Sequence, residues 1–126
     1  MKKEVMKKWV KALRSGKYKR GSGHLRKKTP TGIRYCCLGV LCDITPGVVW
    51  TDEYDDVEAG TYRAVYGGSG NGACLPEGVM QYAGMGTQRG YIPTRKGMDI
   101  LDDINDSGKY SFNQIADIIE KHWEKL

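Results

Sequence analysis

The chain has 126 residues, of which 40% are hydrophobic and 28% charged, and a formal net charge of +5. Such a length fits one domain with a modest core, and this composition excludes a mostly disordered polymer. No apolar run approaches the roughly 20 residues needed to span a bilayer, so no membrane partner is expected.

The net charge hides an asymmetry. Residues 1–37 carry thirteen Lys and Arg against one acid, Glu4, while the remainder carries seven basic and fourteen acidic residues. A one-sided basic surface attracts phosphates, on a nucleic acid or on a small nucleotide. The basic start, Met1-Lys2-Lys3-Glu4, leads into an amphipathic pattern and not an unbroken apolar core, so it reads as no signal peptide and a cytoplasmic location is expected.

In chain order, Val5, Trp9 and Leu13, with Met6 and Val10 beside them, make one apolar stripe and predict a helix over residues 4–15, stopped by Gly16. Residues 17–35 are irregular and basic. His24–Lys28 and Ile33–Cys37 suit a hairpin across Thr29-Pro30-Thr31-Gly32. Cys37, Val40, Leu41 and Ile44 recur at helical spacing, predicting a short buried helix from about Cys36 to Ile44. Val48–Trp50 and Thr61–Tyr66 read as strands around an acidic loop that contains Asp55-Asp56. Gly67–Gly72 reads as a flexible glycine-rich loop. A short helix over Pro76–Ala83 and an extended Tyr91-Ile92-Pro93 follow. The chain closes with helices over about Arg95–Asn105 and from Ser111 to about Lys125, the second opened by a Ser111–Gln114 capping box. The expected fold is a single α+β domain over residues 1–126, its N- and C-terminal helices packed on a small, mainly antiparallel sheet.

Cys36, Cys37, Cys42 and Cys74 lack paired Cys-x-x-Cys spacing, and His24 and His122 lie far apart, so neither zinc nor another cofactor is expected. The adjacent cysteines inside an apolar run read as reduced, buried small hydrophobes. Asp99, Asp102, Asp103 and Asp106 read as a solvated helix face before a cation site. No nucleophile elbow or zinc-protease motif is visible, so no catalytic residue is assigned and a hydrolase is the minority reading.

The string Tyr35-Cys36-Cys37-Leu38-Gly39-Val40-Leu41-Cys42-Asp43 resembles the signature of a family of small bacteriophage-encoded proteins. Trp9–Tyr18, Leu101–Gly108 and Phe112–Glu120 fit the same pattern, with a variable stretch between roughly Thr45 and Ala73. The resemblance implies a phage protein made in a bacterial cytoplasm. It also suggests an anti-defence role, because one class of such proteins sequesters nucleotide second messengers of antiphage immunity.

The residues are compatible with that role. Lys19–Lys28 combines Gly21 and Gly23, which let backbone N–H groups approach an anion, with arginines suited to phosphate. We therefore expect a small-nucleotide site in which Arg20, Arg26 and Arg34 meet phosphates, beside His24. Tyr35, Trp50 and Tyr66 would stack on or wall in the bases. Enclosing a ligand in so small a domain is easiest at a subunit interface, so a homo-oligomer is expected. A nucleotide-degrading enzyme, a nonspecific DNA binder and an inhibitor of a host protein stay open as alternatives.

Overall fold

The computed structural model describes residues 1–52 and 60–126, so the Asp55-Asp56 pair lies outside the described residues. Helix α1 (Lys3–Arg14) buries Val5, Met6, Trp9, Val10 and Leu13, the stripe that the periodicity predicts. Gly16 follows at φ +77°, a left-handed stop that costs glycine little. Three strands come next. In the first sheet β3 (Gly32–Tyr35) is central, parallel to β1 (Lys19–Arg20) and antiparallel to β2 (Arg26–Thr29).

Helix α2 (Cys37–Ile44) is buried from Cys37 to Cys42. Cys36 caps it, its sulfur accepting from the Gly39 N–H at 3.4 Å. A Cβ at Gly39 would overlap the carbonyl of Leu25, so only glycine lets the chain before β2 lie against this helix. Trp9, fully buried, donates from Nε1 to the Cys37 carbonyl at 2.9 Å and ties α1 to the start of α2.

The second sheet is antiparallel, in the order β4 (Val49–Asp52), β5 (Tyr62–Tyr66), β6 (Ser69–Asn71). The expected loop over 67–72 is therefore a hairpin. Its turn is Gly67-Gly68, and a side chain at Gly70 would crowd Arg63 and Val65. The glycines here allow close pairing and not the lack of packing that their number suggests. Helix α3 (Glu77–Ala83) ends at Gly84, φ +69°.

The expected helix over Arg95–Asn105 is also corrected. Residues 97–100 form strand β8 (Gly97–Ile100), paired with β7 (Tyr91–Thr94) across Arg95-Lys96. Only α4 (Leu101–Asp106) is helical. Gly97, at φ +123°, turns the chain at the point where a continuous helix was expected. Helix α5 (Phe112–His122) opens with both halves of the Ser111–Gln114 capping box and runs into a 3-10 turn over Trp123–Lys125.

The architecture is α+β, with α1 packed against both α5 and α2, and three small sheets in place of the single one expected. Phe112, Ile115, Ala116 and Ile119 of α5 join the α1 stripe in one core with Leu25, Leu75, Ile92 and Leu101. Among the described residues, no helix is long and apolar enough to cross a membrane.

Candidate anion-binding cleft

The segment between β1 and β2 is pinned at its backbone from several sides. The Gly21 N–H donates to the Tyr35 carbonyl (2.7 Å), and the Leu25 N–H to the Gly72 carbonyl (2.8 Å). From below, α4 supplies the rest. Asn105 Nδ2 donates to the Gly21 carbonyl (2.8 Å), and Asp106 Oδ1 accepts from the Gly23 N–H (3.0 Å). The two glycines have separate local reasons. A Cβ at Gly21 would press on the Arg34 stem, and Gly23 sits at φ +80° with open space around it.

Above this pinned segment lies an open cleft of about 330 Å³, lined by Arg20, Gly21, Ser22, His24, Lys27, Thr29 and Arg34. Strand register explains the charge. Arg34 of β3 is paired with Lys19 of β1 and with Lys27 of β2, so three cations stand in a row across the sheet. Like charges directly opposed are unfavourable by themselves. Hydrogen bonds orient Lys19, Arg20 and Arg34. Arg20 Nη1 donates to the Asn105 carbonyl (2.9 Å), Arg34 Nη1 to the Arg20 carbonyl (3.1 Å), Arg34 Nη2 to Thr31 Oγ1 (3.1 Å), and Lys19 Nζ to the Thr31 carbonyl (2.9 Å). All of these acceptors are neutral, and among the described residues none that lines the cleft is acidic. The arrangement suits an anion that accepts several charge-assisted hydrogen bonds.

The expected site residues therefore divide. Arg20, His24 and Arg34 meet at the cleft. Arg26, Tyr35 and Trp50 do not line it. Arg26 is paired with Tyr35 in the β2–β3 register, one residue out of step with Lys27 and Arg34, so it faces the other side of the sheet. There its guanidinium carbon stands 4.4 Å from the Tyr62 ring centre, 5.4 Å from that of Trp50 and 5.8 Å from that of Tyr35. Asp43 fixes this cluster, accepting from Tyr18 Oη (2.7 Å) and Trp50 Nε1 (3.0 Å). Burial, then the bond to Asp43, pushes the Tyr18 phenol well above its ordinary range. Tyr66 lies in a third place, its ring against Gly47 and Gly78.

A family profile described as a domain of unknown function (DUF8296) matches residues 1–123. The chain belongs to this family. No curated protein and no solved structure matches it. In this DUF8296 chain the cleft also holds Ser22 and Lys27, which lie in the Lys19–Lys28 stretch without having been named as ligand contacts, and Thr29, and it rests on Asn105 and Asp106, which were not expected there. A usable signal existed for one of them. A hairpin turning at Pro30-Thr31 pairs residue 27 with residue 34, which places Lys27 beside Arg34.

The four aspartates expected on a helix face are spread over different tasks. Asp99 is on strand β8 and not on a helix, Asp102 and Asp103 pair with Arg89 at 2.7 and 3.3 Å, and Asp106 serves the Gly23 turn. The cysteines of the DUF8296 chain sit in the core. Burial pushes the Cys36 thiol up to about 12 and raises Cys37 and Cys42 well above their ordinary range.

Proposed function

We propose that this protein binds a small phosphorylated nucleotide at the Arg20–Lys27–Arg34 cleft and holds it without turnover. The observation that carries the reading is the cross-strand row of Lys19, Arg34 and Lys27 beside Arg20 and His24, with Lys19, Arg20 and Arg34 oriented by neutral acceptors. A phosphate group would accept charge-assisted hydrogen bonds from Arg20 and Arg34, whose acceptors in the cleft are neutral. The aromatic rings assigned to bases lie elsewhere, Tyr35 and Trp50 around Arg26 and Tyr66 against Gly47 and Gly78, so recognition runs through the phosphates more than through the base. Binding is favoured over chemistry because the thiols of Cys36, Cys37 and Cys42 are buried and held protonated in the core.

The cleft is open on one side and lies at the small end of the range for ligand pockets. A second copy of the chain would complete the enclosure, which supports a homo-oligomer. The resemblance to phage-encoded proteins supports a setting in the bacterial cytoplasm, where sequestering a nucleotide signal of antiphage immunity would evade the host.

The test is to incubate the protein with cyclic dinucleotides and cyclic ADP-ribose isomers, remove unbound material, denature, and identify what is released by mass spectrometry. Intact nucleotide near one per site, lost in Lys27→Gln, is the expected result. A cleaved product would make the protein a hydrolase and direct attention to His24. No retained nucleotide would overturn the reading for that set of ligands.

A further inference from the structure

The cleft uses only part of the basic surface. Lys3, Lys7, Lys8 and Lys11 are all exposed on the face of α1 opposite its buried stripe. At α-helical spacing Lys3, Lys7 and Lys11 follow one another about 6 Å apart along the axis, with Lys8 beside them. Glu4 is the one acid on this face of α1, three and four residues before Lys7 and Lys8, and the nearby carboxylates of α5 are spent on another cation. Asp117 and Glu120 of α5 both bind Arg14, at 2.5 and 3.2 Å. Among the described residues, no ion pair reaches the four lysines. Two shallow grooves flank them. One, of about 300 Å³, is rimmed by Lys8, Lys11 and Lys17. The other, of about 500 Å³, runs between Lys7, Lys11 and Arg14.

We infer that the exposed face of α1 is a second binding surface, for the sugar-phosphate backbone of a nucleic acid, separate from the cleft. The choice of partner rests on what the helix does with its other residues. An anionic membrane would need an apolar face to insert, and the apolar face of α1 is entirely in the core. An acidic protein partner would be held by aromatic and arginine anchors, whereas lysine is depleted in such interfaces. Flexible point charges along one line suit successive phosphates. They carry no base-reading geometry, so binding is independent of sequence.

The test is fluorescence anisotropy of a labelled mixed-sequence DNA duplex over a series of salt concentrations. Four lysine contacts give a slope of log K against log salt of about −3 to −4. Lys7→Gln with Lys11→Gln makes the slope shallower by about 2, whereas Lys109→Gln leaves it unchanged. Glutamine matches lysine in helix propensity, and circular dichroism checks that the variants keep their fold. Three results overturn the inference: no duplex binding at low salt, a slope insensitive to the Lys7/Lys11 pair of substitutions, or retention on phosphatidylserine vesicles without retention of the duplex.

Discussion

Asn105 holds Gly21 in place from beneath: its Nδ2 donates to the Gly21 carbonyl at 2.8 Å while its Oδ1 accepts from the Cys37 N–H at 3.0 Å. The side chain is fully buried, so one residue of α4 fastens the floor of the cleft to the start of α2. Asn105→Ala leaves the buried Cys37 N–H and the Gly21 carbonyl without these partners. At about 1–3 kcal/mol for each buried group left unpaired, the loss of stability should be about 2–6 kcal/mol. Urea denaturation measures it. A loss below about 1 kcal/mol would mean that water replaces the amide.

Gly39→Ala tests the contact of α2 with the chain that enters β2. The added Cβ overlaps the Leu25 carbonyl, a backbone atom that cannot swing aside. Helix propensity alone would favour alanine by nearly 1 kcal/mol. The clash should reverse that sign and cost about 3 kcal/mol or more. A variant as stable as the parent would show that the Leu25 backbone can retreat.

The buried thiols give the fold an alkaline limit. Burial moves Cys36 from 9.0 up to about 12, and Cys37 and Cys42 shift the same way. Between those pH values the folded chain keeps protons that the unfolded chain has released. The stabilising contribution is therefore complete below pH 9 and declines above it, by about 1.4 kcal/mol per pH unit for each such thiol. Urea midpoints taken from pH 8 upward should be flat at first and then fall steeply. At pH 8 a thiol reagent should reach the half-buried Cys74 slowly and the three core thiols only after unfolding.

Arg26→Ala removes the cation from among Tyr62, Trp50 and Tyr35. The expected cost is about 1–2 kcal/mol, from lost cation–π contact and from lost packing of the arginine stem. Part of that cost is offset, because the buried Nε of Arg26 has no hydrogen-bond partner among the described residues. Trp50 emission should shift towards that of a hydrated indole. Unchanged emission would place the guanidinium away from that ring.

The elements most legible in the sequence were those with a repeating apolar period or a terminal signature. The α1 stripe, the Cys37–Ile44 helix and the Ser111–Gln114 cap are of this kind. Met98, Leu101 and Ile104 also recur at helical spacing, yet Met98 stands exposed on β8 and only the later two belong to α4. A two-residue turn at Arg95-Lys96 outweighed that short period. Strand β1 is two residues long and carries no pattern of its own, being defined by its parallel pairing with β3. The candidate site was legible as a composition of arginines and glycines. Its division into a cleft and an aromatic cluster was not, because that depends on which of Arg26 and Lys27 faces which side of one sheet.

The packing of α1 against α5 sets an order on assembly during synthesis. The Trp9 stripe is made early, and its cover, Phe112, Ile115 and Ile119, comes more than a hundred residues later. A chain growing at roughly 5–20 residues per second carries that stripe uncovered for several seconds. The lysines of α1 lie on the same turns as the stripe, and their mutual repulsion keeps neighbouring nascent chains apart during that interval.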